Sequence, residues 1–83
     1  MITCVAIKTL SGVYALPEPN RHHNVIKTMH DNGESAKSGI QGFVTDTGAF
    51  LNREQARSYA LAIGQVSEKK LNHQRELFSE DLW

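Results

Sequence analysis

Arg21, His22 and His23 follow one another directly after Asn20. From Arg21 onward the apolar residues recur at helical spacing, with His22, Val25, Ile26 and Met29 on one face, so the basic trio falls in a first helical turn. Asn20 is the expected N-cap. Free backbone amides and the positive end of the helix dipole favour an anion at such a position, and an arginine with two imidazoles adds further donors. The chemistry offered is capture of a phosphate or carboxylate. Arg53 opens a second helix in the same manner, behind Asn52 and with Gln55 at the capping-box position. Were the two openings to face one groove, it would hold two phosphates, with the Thr45 hydroxyl presented from a neighbouring hairpin tip. The expected ligand-binding set is therefore Arg21, His22, His23, Thr45 and Arg53. The plain alternative is that His22 packs beside Val25 and Ile26 while the other side chains stay solvated, since most helix openings bind only water.

Other chemistries find less support. His23 and His30 share a face, but seven residues of helix separate them by about 10.5 Å, too far for one ion. His22 and His23 diverge around the helix, so a metal would need a ligand such as Asp46 from elsewhere, and no metal site is expected. Asp46 fits a turn residue better than a general base. Cys4, in mid-strand, has no base beside it, and Ser79 has no glycine elbow. No catalytic residue and no cofactor are expected, and the reading leans away from an enzyme.

These residues need elements to place them. Ile2–Thr9 is β-branched and apolar and reads as a strand, Ser11-Gly12 as its turn, and Val13–Leu16 as the return strand. Pro17 and Pro19 then stop pairing. The first helix closes over Asp31-Asn32-Gly33. A second hairpin turns over Asp46-Thr47-Gly48, with Phe43 and Phe50 on its strands, and passes through Asn52 into a helix whose stripe is Ala56, Tyr59, Ala60 and Ile63. Gly64 ends that helix. Ile7–Tyr14 and Val44–Phe50 share a strand, a glycine turn and an aromatic two residues past the glycine. The expected fold is thus α+β: two β-hairpin–helix (ββα) units forming one antiparallel four-stranded sheet with both helices on one face. Residues 1–66 make the ββαββα domain.

Residues 67–83 form a polar tether and an apolar C-terminal tail, ending in Leu77, Phe78, Leu82 and Trp83 around Glu80 and Asp81. Burying a Phe or Trp gains about 2–3 kcal/mol, so these four side chains are expected to dock, either on this domain or on a partner protein. A sheet with helices on one side leaves its other face bare, which allows a homodimer.

At 83 residues the chain is one small domain, able to bury only about 60–65% of its unfolded surface. Nine Lys and Arg balance nine Asp and Glu, and the basic residues are scattered, which argues against an extended nucleic-acid binder. A single cysteine rules out an internal disulfide and fits a reducing compartment. The short apolar runs exclude a membrane span, and the expected location is a cytoplasm.

The residues assembled above resemble a family of small, uncharacterised accessory proteins of tailed phages and prophages. The likeness lies in Arg21-His22-His23 with Val25-Ile26, in the stretch Gln41–Asp46 with Gly48 and Phe50, in Arg53 and Ala56, in Gly64-Gln65 and in Leu77–Trp83. It implies the cytoplasm of a bacterial host. By analogy with phage accessory proteins, it also implies a binding role: sequestering a phosphate-bearing nucleotide or signal of host defence, or inhibiting a host protein through the sheet face or the tail.

Overall fold

The computed structural model describes residues 1–83. The chain runs β1 (Ile2–Thr9), β2 (Gly12–Pro17), α1 (His22–Asp31), β3 (Ile40–Thr45), β4 (Phe50–Asn52) and α2 (Arg53–Ala62), followed by single 3₁₀ turns at Glu68–Lys70 and Ser79–Asp81. The four strands form one antiparallel sheet in the order β2-β1-β3-β4. The first strands of the two hairpins therefore pair at its centre, with their return strands outside. This is the expected α+β sheet of two ββα units.

Alternation on the strands decides where the helices lie. Val5 and Ile7 of β1 and Phe43 of β3 are fully buried, and they share one cluster with Val25 and Met29 of α1, Ala56 and Ala60 of α2, and Leu77. One cluster holding both helices and one set of strand residues places both helices on the same face. The other face carries Cys4, Ala6 and Lys8 of β1, Val13 and Ala15 of β2, Ile40, Gly42 and Val44 of β3, and Phe50 of β4. Gly42 is required there. A Cβ at this position would lie 2.2 Å from the Leu51 carbonyl oxygen and 2.7 Å from the Phe50 ring, which leans over the glycine.

Several local expectations are corrected. Asn20 does not cap α1. Its amide donates back to the Pro17 carbonyl at 2.8 Å, and the cap position falls to Arg21, whose N–H donates to Asn24 Oδ1 at 2.8 Å. The first hairpin turns over Leu10-Ser11, because Thr9 pairs with Gly12. Pro17 remains in β2, opposite Cys4, which an outer strand tolerates because the missing N–H faces away from the ladder. Ile26 and Ile63, expected in the helix stripes, are both exposed, because one sheet face accommodates only a narrow arc of each helix. The second helix opens as the sequence indicates: Asn52 accepts from the Gln55 N–H at 2.8 Å and Gln55 accepts from the Asn52 N–H at 3.0 Å.

Candidate functional site

Arg21 and Arg53, at the openings of α1 and α2, reach the same segment of chain, residues 77–83. Arg53 donates through Nη1 to the Leu77 carbonyl at 2.9 Å, and the Leu77 N–H donates to the Arg53 carbonyl at 3.0 Å. Its Nη2 donates to Gln41 Oε1 and lies 3.4 Å from His22 Nδ1. The guanidinium carbon stands 4.2 Å from the centre of the Phe78 ring, whose other neighbour is the His73 imidazole. Arg21 donates through Nη1 to Ser79 Oγ at 3.1 Å and through Nη2 to the main-chain oxygen of Trp83, with the Glu80 carboxylate 3.5 Å away. The Trp83 indole N–H donates to the Asn20 carbonyl at 2.8 Å. Leu77 and Ser79 are buried, while Phe78, Leu82 and Trp83 are half-buried. The tail thus lies across both helix openings and fills the space between them.

His22 sits beneath this contact. It is buried, packs edge-on against Phe43 at 5.1 Å, and its Nε2 lies 2.7 Å from the Gly42 carbonyl. A carbonyl only accepts, so Nε2 carries the proton and Nδ1 is left to accept from Arg53. Burial pushes the imidazole below its ordinary pKa, and the neighbouring Arg53 charge adds to that, against the opposing pull of the Gly42 bond. Burial likewise lowers the Arg53 value, while Glu76, Glu80 and Asp81 oppose it. A neutral His22 and a charged Arg53 make one consistent network.

The remaining expected residues lie elsewhere. His23 is exposed on the first turn of α1. Thr45 is buried in the second hairpin, sharing a hydrogen bond of 2.9 Å with Thr47 and accepting from the Ala49 N–H. It lies three residues down β3 from Gly42, about 10 Å from that glycine along the strand. The structure therefore brings together Arg21, His22 and Arg53 with Leu77, Phe78 and Trp83, and leaves Thr45 and His23 outside that contact. Sequence reasoning missed Gln41, which no local pattern marks as an arginine partner. It also missed Gln65, whose side-chain amide exchanges two bonds of 2.8 Å with the Ile2 main chain, as a neighbouring strand would. A glutamine just past a helix-ending glycine was the only signal.

No buried side-chain nitrogen or oxygen lacks a partner. The arrangement can clasp a segment with carbonyl and carboxylate oxygens; within it the Ser79 hydroxyl accepts from Arg21 and donates to Glu80 Oε1 at 3.2 Å. No group of three metal-ligating side chains occurs.

The phage T4 y16D protein family model matches residues 1–83. The chain belongs to that family. No curated protein and no solved structure matches it. Phage origin fits an accessory role, and no helix is long and apolar enough to cross a membrane. Much of what carried the resemblance in the sequence, Arg21-His22, Gln41–Phe43, Arg53 and Leu77–Trp83, meets in the clasp.

Proposed function

We propose that this phage protein acts in the host cytoplasm by binding a host protein through the sheet face its helices leave uncovered. The observation that supports this is the composition of that face. Its strand residues include a single charge, Lys8, among Val13, Ala15, Ile40, Val44 and Phe50. Val13 is 45% exposed and Ile40 54%, and the Lys8 ammonium lies 5.8 Å from the centre of the Phe50 ring. A contiguous apolar surface on so small a domain marks a contact surface. The fitting partner presents an apolar patch with an acidic group opposite Lys8. The tail serves this reading as part of the domain, because its apolar residues pack at home. Host proteins captured from infected-cell lysate by the wild-type chain should be lost on Ile40→Glu and on Val13→Glu, with circular dichroism unchanged. Capture of the same proteins by both variants would remove the reading.

A second reading rests on the clasp. Arg21 and Arg53 converge on oxygen atoms of the tail, and Glu80 stands among them, which is the donor geometry a phosphate-bearing nucleotide would use if it displaced the tail. Arg21, His22 and Arg53 would hold it, with His23 at the rim. Nucleotides should then raise the melting temperature of Trp83→Ala, whose tail is held more weakly, more than that of the wild type. No shift from any nucleotide in either protein would eliminate it.

A further inference from the structure

The two outer strands of the sheet end differently. β4 has three residues and runs directly into α2, and its Asn52 N–H is taken up by Gln55. β2 has six residues, Gly12-Val13-Tyr14-Ala15-Leu16-Pro17, without a charge and without a bulge in its pairing. Charged side chains, bulges and prolines are the usual devices that keep an outer strand from pairing with another chain, and β2 has only Pro17, at its far end.

The register shows which groups of β2 remain open. Thr9 opposes Gly12 across the two-residue turn, making that the hydrogen-bonded pair, and bonded pairs then alternate along the ladder. Tyr14 opposite Ile7 and Leu16 opposite Val5 therefore direct their amides and carbonyls to β1. The bond from the Glu18 N–H to the Thr3 carbonyl continues the same alternation. Val13 and Ala15 direct theirs outward, and no turn, loop or cap bond uses them.

From this edge we infer that the protein forms a dimer in which β2 pairs antiparallel with β2 of a second copy, about a two-fold axis at Tyr14. In that register Val13 opposes the partner's Ala15 on both sides of the axis, and each such pair exchanges two N–H to carbonyl bonds. The donor and acceptor pattern is its own antiparallel complement. No charges are brought together, as self-pairing would require of a charged edge. Small side chains on either side of Tyr14 form no pocket that would select a foreign strand instead. The two-fold closes the assembly, and Pro17 limits the ladder, so pairing stops at two copies. The two uncovered faces become one continuous surface. This inference does not depend on the host-protein reading, which is tested by side-chain changes at Ile40 and Val13, whereas this one is read from the outward backbone amides of β2.

The test is the oligomeric state of the full chain together with amide exchange. Sedimentation equilibrium should show a monomer–dimer equilibrium. Ala15→Pro removes an outward N–H that β1 does not use, so it should weaken the dimer by roughly tenfold or more while the monomer keeps its fold. Exchange of the Val13 and Ala15 amides should slow as wild-type concentration rises, which keeps the test decisive should Ala15→Pro unfold. A monomer at every concentration, or a dimer in which these two amides exchange freely, overturns the inference.

Discussion

The two helix openings began from the same sequence idea and differ in what they do. Both place an arginine at the amino end of a helix laid on the sheet, and both arginines bind the tail. Arg53 is held on several sides, by Leu77, Gln41, His22 and the Phe78 ring. Arg21 meets the later part of the same segment, Ser79, Glu80 and Trp83, near the surface. The difference follows from the spacers. β4 passes without a break into α2, so Arg53 starts beside the strands, in line with buried Leu77. Residues 18–21 separate β2 from α1, and Arg21 is displaced toward the rim. Arg21 at the cap of α1 and Arg53 one residue inside α2 thus tie the same tail unequally, Arg53 with partners on several sides and Arg21 with partners near the end of the tail.

The comparison predicts unequal costs of removal. Arg53→Ala should lower stability by about 3 kcal/mol, since it leaves the buried Leu77 carbonyl and Gln41 without their charged donor. Leu77→Ala should cost a similar amount, about 3 kcal/mol, through the cavity it opens under the same arginine. Urea unfolding measures both. Arg21→Ala should cost about 1 kcal/mol, because water replaces much of what it binds. An Arg21→Ala cost equal to that of Arg53→Ala would break the comparison. The double variant sharpens it: if both arginines act through one docked tail, the two losses will sum to more than the pair costs together.

The smallest effect concerns pH. His22 has its pKa depressed in the folded protein below the ordinary 6.5. The unfolded chain therefore takes up a proton first as pH falls, and stability is lost from about 6.5 downward until the folded imidazole also protonates. The contribution is fully present above that window. His22→Gln retains an amide donor for Gly42 and has no proton to gain, so its unfolding midpoint should change less between neutral and mildly acidic pH. An unchanged slope in that variant would mean that another group governs this range.

The sequence was most informative where cause and effect are close along the chain. Asn52 and Gln55 cap α2 as their spacing indicates, and the alternation around Phe43 places the sheet faces. Its weaker points each have a physical reason. Asn20 has the right side chain for a cap, but the Pro17 carbonyl competes for it and wins. The tail contacts of the arginines are not legible in the sequence because those partners lie 24 residues away in one case and 58 and 62 in the other. Nothing local shows that the chain supplies its own oxygens. The apolar tail signalled docking, but its seat depended on the convergence of two helix openings. The six uncharged residues of the longer outer strand were fully written in residues 12–17, yet its outward amides emerge only from the pairing register.

The clasp also sets an order of events during synthesis. Residues 77–83 leave the ribosome after both arginines and after every strand they help to cover. A nascent chain can assemble its sheet and helices, but Arg21 and Arg53 lack their partners in the tail, and the socket for Leu77 stays open, until that segment has emerged. Translation that stalls before Leu77 would therefore leave an apolar hollow exposed, where the finished molecule has a closed floor.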